Sequence, residues 1–321
     1  MLVFIIRRLL YSIPVLLATS FLIFTAVSLS GDPAARIKAN PKFSQATYEQ
    51  LRLKYQLDKP IPVRYVYWLK DVTTNKLGNS LATQQPIWPE ITRVMTHTAQ
   101  LIVTSSLIAI LLGIGIGVYS AIRQYSIFDY TATTLSFLGF AMPTFWLALL
   151  LQILFVNIYL KWDVRIFYTS GLNNPSEGAF SLDRIQHLGL PVATLVIIDF
   201  ALYSRFMRAS MLEVINADYV RTARAKGVAE WRVIFHHVFR NALIPLVTVI
   251  SLNVGSLLGG AIVTESVFSL DGMGFYFRYK LGQLDLYPVM AWLLVTSVII
   301  ILANLLADIV YGYLDPRIRY S

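Results

Sequence analysis

Cysteine is absent from the 321 residues, and only 14% of them carry charge. The first absence excludes disulfides, thiolate metal sites and thiol nucleophiles. The second excludes an ordinary soluble domain, in which about 25% of residues are charged, and it excludes disorder, which needs polar, charge-rich sequence. Histidine is scarce too: His97, His187, His236 and His237 are all there are, and none stands in an HExxH pair. A GxxxxGK[ST] loop is missing, so the chain does not bind ATP in the P-loop manner. No span carries a voltage-sensor arginine repeat or a TVGYG-type filter. What is present is apolar: 56% hydrophobic residues and a mean hydropathy of +0.60. Together these describe an integral membrane protein. Lys and Arg outnumber Asp and Glu by 27 to 18, giving a net charge of +9. In this setting the excess reads as cytoplasmic loops, because no basic, aromatic-interleaved polar domain is available to hold nucleic acid.

A membrane helix needs about 20 apolar residues, and six stretches qualify: 9–29, 98–122, 130–160, 188–203, 243–268 and 288–313. Barrel-type alternation is missing, so the expected fold is an all-α bundle. Arg7 and Arg8 before the first stretch put the N-terminus in the cytoplasm, and six crossings return the C-terminus there, beside Arg317 and Arg319. The first stretch also has signal-peptide features, with Ala26-Val27-Ser28 before Gly31. Its apolar run exceeds the usual 7–15 residues, which favours a retained anchor. Residues 30–96 are polar and charged apart from a patch around Tyr65, Trp68 and Leu69, and are expected to form an external subdomain. Residues 162–187 form a second external loop.

Within the spans, Gly113, Gly115 and Gly117 resemble a dinucleotide fingerprint, but no strand precedes them. Gly113 with Gly117, and Gly255 with Gly259, instead suit close helix packing. Asp199 lies mid-span, where a carboxylate costs about 2.5–3.5 kcal/mol on insertion scales. It is expected to line a pathway or pair at an interface, a single-residue proton relay being the other reading. Asn253 and Gln152 are further candidates for a polar lining. Glu265 and Asp308 lie near span ends and are expected to be solvated or locally paired. Pro143 is expected to bend or break the third span.

The cytoplasmic segment 204–241 is dense in basic residues. Asp218 caps or begins a short helix there; Arg224 and Lys226 fall in its last turn, and Gly227 is placed to stop it. A second helical stretch reaches Asn241, and Ile244-Pro245 opens the fifth span. On residue chemistry alone, the short helix suits a groove of another protein or a membrane surface equally.

Tyr219 to Gly227, read as YVRTARAKG, resembles the EAAxxxG loop of bacterial ABC-importer permeases in its oligopeptide/dipeptide form, with Arg221-Thr222-Ala223 in place of Glu-Ala-Ala. The resemblance covers nearly the whole chain: Arg7-Arg8-Leu9, Gly31-Asp32-Pro33, Leu57-Asp58-Lys59-Pro60, Leu77-Gly78-Asn79-Ser80, Met142-Pro143-Thr144-Phe145-Trp146, Thr264-Glu265-Ser266-Val267-Phe268 and Asp315-Pro316-Arg317. It departs at Asp271, where the family usually has proline, and at Asn75-Lys76, where a Gly-Asp is common.

The resemblance implies a six-helix type I importer transmembrane domain in the cell (inner) membrane: an N-terminal helix over 1–29, an external insert over 30–96, a permease core over 97–314 including the 204–241 coupling segment, and a cytoplasmic tail over 315–321. The implied partners are a second homologous permease chain, two cytoplasmic ABC ATPases, an external solute-binding protein, membrane lipid and a di- or oligopeptide substrate. This chain is implied to be non-catalytic and to hold no cofactor or metal, ATP and Mg being bound by the ATPases. Asp218, Tyr219, Arg221, Thr222, Ala223, Arg224, Lys226, Gly227 and Pro245 are implied to serve ATPase coupling; Arg221, Arg224 and Lys226 would make the contacts, while Ala223 and Gly227 keep the helix slim and ended. A proton-coupled carrier using Asp199, or an importer of nickel chelates or sugars, are the alternatives.

Overall fold

A computed structural model describes residues 2–29, 45–54, 56–74, 77–172 and 181–314. Gly31, Asp32, Pro33, Asn75, Lys76 and the tail from Asp315 lie outside the described residues, as do the side-chain surroundings of Gly255, Gly259 and Asp308. The described chain runs through α1 (Leu2–Leu29), α2 (Gln45–Lys54), α3 (Ile61–Thr74), α4 (Ile87–Ile122), α5 (Ile127–Ala141), α6 (Thr144–Trp162), α7 (Leu182–Ile215) and α8 (Asp218–Ala225). A helical turn, Glu230–Arg232, and a π-helical stretch, Val233–Phe239, lead into α9 (Arg240–Val267), followed by α10 (Met273–Gly282) and α11 (Leu286–Leu314). Among the described residues, six helices are long and apolar enough to cross a membrane.

Helix lengths depart from the sequence expectation. α7 has 34 residues, about 51 Å at 1.5 Å per residue, well beyond the ~30 Å hydrocarbon core. The extra turns are polar, so hydropathy alone ends the span at Tyr203 while the backbone continues to Ile215. α4 likewise starts at Ile87, ahead of its apolar stretch. The third span is broken: α5 stops at Ala141, Met142 and Pro143 are extended, and α6 restarts at Thr144. Proline has no N–H to continue the ladder and disfavours helix at the residue before it. Pro245, expected to open the fifth span, instead lies inside α9. The π-helical stretch upstream carries the helix through, so no loop separates Glu230–Arg232 from the span.

Two compact units make up the chain. The first comprises Met1–Thr98 and Asp271–Leu305. In it α3 packs on α1 through aromatics: Phe24 lies against Tyr65 and Trp68, with ring centroids 5.6 and 5.9 Å apart. Ser20 Oγ and Tyr65 OH share a 2.7 Å hydrogen bond. Tyr65 and Trp68 are the apolar patch of the otherwise polar insert, and Trp68 is buried.

The second unit comprises Ala99–Leu270 and Leu306–Ser321. Here α7 runs antiparallel to the α5–α6 pair: Arg208 meets Asp129, Ser204 meets Ser136, and the backbone near Ile197 and Ala201 passes Gly139. α4 approaches α7 closely at two glycines. A Cβ at Gly113 would lie 2.6 Å from the Tyr203 Cβ, and one at Gly117 would lie 2.6 Å from the Met207 Cβ, whereas one at Gly115 would meet nothing within 4 Å. Packing therefore uses the i, i+4 pair and ignores the glycine between. Glu265, expected to be solvated or locally paired, is buried and so not solvated.

Candidate functional site

α8 follows α7 after a turn at Asn216-Ala217, and its sequence sorts its faces. Val220 and Ala223, three residues apart, point inward and are buried. They join an apolar cluster containing Met207 and Met211 of α7, Val233 and Val238 of the π-helical stretch, and Ala242 and Leu246 of α9. Asp218, Tyr219, Arg221, Thr222, Arg224, Lys226 and Gly227 are exposed. The helix thus offers one polar and aromatic face outward and is bolted by the other to the bundle.

Its ends are set by backbone chemistry. Asp218 begins the helix and does not cap it: the N-cap is Ala217, which has no side-chain bond. The Asp218 carboxylate sits at the positive end of the helix dipole. At the other end Gly227 takes φ +74°. Its N–H donates to Arg224 O at 2.9 Å, and Val228 N–H reaches Ala223 O at 3.3 Å. These are the paired bonds of a Schellman stop. A Cβ at Gly227 would touch nothing within 4 Å, so the need for glycine there is conformational, not steric.

Two of these residues also have places in the chain's own packing. Ala223 is small because it faces the chain's own core, where only 8% of its surface stays accessible, and it is not part of the outward face. Arg224 is already engaged: its Nη2 and Nε donate to the Glu230 carboxylate at 2.7 and 3.2 Å, closing the loop after Gly227. Arg221 and Lys226 remain outward, Arg221 with only a 3.8 Å approach to Asp218. Pro245 lies on α9 and not on the short helix. Sequence reasoning missed Trp231 and Phe235, which stand exposed beside this face. The signal was available, since an aromatic in a charged, solvent-facing stretch has no core to enter. Glu230 was missed because nothing local announces a partner six residues away.

The intramembrane candidates separate. Asn253 Nδ2 donates to Asp199 Oδ1 at 3.2 Å and to Tyr203 OH at 3.0 Å, joining α9 to the middle of α7. Asp199 is buried, and its Oδ2 has no hydrogen-bond partner among the described residues. Gln152 is elsewhere. Its amide donates to Thr169 O at 2.6 Å and Val267 O at 3.2 Å, tying α6 to a loop and to the end of α9. That amide acts as a structural strut. Below Asp199 lies an unannounced ion pair: Arg208 grips Asp129 through two bonds, 2.6 and 2.8 Å, with Ser120 and Tyr125 N–H also on the carboxylate. It fastens the ends of α4, α5 and α7 together just above α8. No group of three or more His, Asp or Glu able to hold a metal occurs among the described residues.

Six long apolar helices, with a short, outward-facing helix fastened to α7 and α9, define the class as a multi-span helical membrane protein. The family described as "Binding-protein-dependent transport system inner membrane component" matches residues 113–320, and the corresponding N-terminal family matches residues 1–102. The chain belongs to this family and is a multi-pass inner-membrane transport component, not an enzyme. It is 40% identical over 319 residues to the oligopeptide transport system permease protein AppB of Bacillus subtilis, covering 99% of both chains. It is 36% identical over 343 residues to the dipeptide transport system permease protein DppB of Escherichia coli, covering 100% of both. A crystal structure of an amino acid ABC transporter with histidines shares the fold, with a TM-score of 0.50 at 15% identity over 71% of this chain and 94% of that one.

Proposed function

We propose that this chain is the membrane subunit of an ATP-driven importer of di- or oligopeptides and that α8 is the helix its ATPase grips. The observation that carries this reading is the division of α8: Val220 and Ala223 are buried in a cluster continuous with α7 and α9, while Tyr219, Arg221 and Lys226 face out. Force on the outer face is thereby delivered to two membrane-crossing helices. Alternating access then follows from differential binding of the ATPases to two packings of the bundle. The peptide assignment follows the functions in the names of full-length relatives.

In this reading both termini and the 204–241 segment are cytoplasmic, 30–96 is an external insert, 97–314 is the permease core and 315–321 is a cytoplasmic tail. A second permease chain, two ATPases carrying ATP and Mg, and an external solute-binding protein complete the assembly. Asp199 and Asn253 are pathway candidates. A stand-alone proton carrier would need acids in series, but Asp199 accepts from the Asn253 amide, which in turn donates to Tyr203 OH.

The test is ATP-dependent dipeptide uptake into vesicles holding the assembled complex, for wild type and for a Tyr219→Ala, Arg221→Glu double variant. The variant should insert normally but lose its ATPase and its uptake. Full uptake by the variant at equal expression would sink the docking assignment. Uptake by the purified chain alone, driven by a proton gradient without ATP, would sink the importer reading itself.

A further inference from the structure

Between α4, α5 and α7, close to the Asp129–Arg208 pair, lies a narrow, partly open cleft lined by Thr133, Ser136, Ser204, Arg205 and Arg208 among others. Its two cations differ. Arg208 is neutralised by its two hydrogen bonds to the Asp129 carboxylate. Arg205 has no carboxylate within ion-pair distance among the described residues; its guanidinium lies instead over two rings, 4.6 Å from the Phe137 centroid and 5.1 Å from that of Phe140. Both phenylalanines are more than half exposed. The Ser136 and Ser204 hydroxyls bond to each other at 2.9 Å within the lining.

The depth of this cation is informative. Arg205 stands about 25 Å along α7 from Leu188, where the apolar run begins, and therefore within about 5 Å of the far boundary of a ~30 Å hydrocarbon core. A guanidinium there is unfavourable unless it meets an anion or water. Stacking on Phe137 and Phe140 holds its plane while leaving its N–H fork available for two parallel bonds to a phosphate. Beyond the cleft, α5 exposes Leu135, Leu138 and both phenylalanines. That apolar face suits acyl chains, and the headgroup level is where a basic pocket between helices meets anionic lipid.

We propose that Arg205, framed by Phe137 and Phe140, is a binding site for the phosphate of an anionic phospholipid, with the acyl chains on the apolar face of α5. The site does not depend on which solute is transported. The reading of this end as cytoplasmic selects only the leaflet.

The test uses the assembled complex in nanodiscs of phosphatidylcholine containing phosphatidylglycerol, with lipid retained after detergent extraction read by native mass spectrometry. Wild type should retain phosphatidylglycerol over phosphatidylcholine. Arg205→Gln should lower that preference about tenfold, and Arg205→Lys, which keeps charge but loses the planar fork, should fall between. Lys161→Gln, removing a cation at the opposite end of α6, should change nothing. Thermal unfolding in phosphatidylcholine discs checks that Arg205→Gln remains folded; if it does not, the Arg205→Lys ranking decides. Equal retention by wild type and variants overturns the site. So does displacement by millimolar inorganic phosphate with no preference among lipids, which would make it a soluble-anion site. Loss of a second permease chain from the Arg205→Gln complex would make it a protein interface and also overturns it.

Discussion

Two charged regions of this molecule use the same residue types for opposite ends. In the first unit Lys280 of α10 and the neighbouring Asp285 are turned inward and satisfied. Lys280, 3% exposed, reaches the Glu90 carboxylate at 3.2 Å, and Tyr276 OH donates to the same group at 3.1 Å. Asp285, 1% exposed, accepts from Ser80 Oγ and Leu81 N–H; burial pushes its carboxyl above the usual range, opposed by those bonds and by Lys280. Asp271 is paired with Arg93, and its carbonyl meets His97 Nδ1 at 2.6 Å. In α8 of the second unit the Asp218 and Arg221 side chains stay open, 100% and 69% exposed. The lesson is that charge which finds its partner within the chain holds the fold, whereas charge left facing outward on a rigidly mounted helix is free to serve another molecule.

This contrast can be broken most severely at Ala223. Ala223→Glu forces a carboxylate into the apolar cluster with no partner, a change costing several kcal/mol, and should abolish ATP-driven uptake while the spans still insert. Protease accessibility of the 218–240 segment would rise; unchanged uptake and accessibility would show that Ala223 is not inward-facing. Gly227→Asp should have the same sign with a smaller effect, about 1–2 kcal/mol of left-handed strain, read in the same uptake assay.

The inward network is tested by Glu90→Gln, which leaves the buried Lys280 ammonium without its counter-charge. The expected loss of stability is about 3 kcal/mol, the low end for a broken buried pair because the Glu90 side chain is partly exposed. Thermal unfolding in detergent measures it, and a negligible shift would mean that Asp285 alone compensates Lys280. The outward face behaves in reverse. Tyr219→Ala should weaken ATPase association by about 2 kcal/mol, as an interface hot spot does, without altering unfolding of the chain; a lowered unfolding temperature would place Tyr219 in the fold instead. Smallest is Arg93→Ala. Both members of its pair with Asp271 are about half exposed, so the loss should stay below about 1 kcal/mol, and a larger drop would make Asp271 a true anchor of α10.

Much of this was legible before any coordinates. Six apolar runs located the spans, and Gly227 announced its helix stop because left-handed backbone at a C′ position is a local requirement. The glycine pair in α4 could be read as packing because its partner only has to be another helix. The extent of α7 to Ile215, the role of Arg224 and the fate of Gln152 were not legible. Each depends on a partner chosen by the fold: the polar end of α7 is held by Asp129 on α5, Arg224 by Glu230 across a turn, and Gln152 by carbonyls of Thr169 and Val267.

The sequence by itself therefore determined that this is a membrane-spanning helical protein, because hydrophobic length, charge scarcity and backbone punctuation are local and additive along the chain; the permease class came from its resemblance to a family, not from those patterns. Only the tertiary structure decided which face of α8 looks outward, which arginines are neutralised and which, like Arg205, are not. Those outcomes depend on distance between residues far apart in sequence, and a hydrogen bond or ion pair exists only where the fold brings its two members within reach.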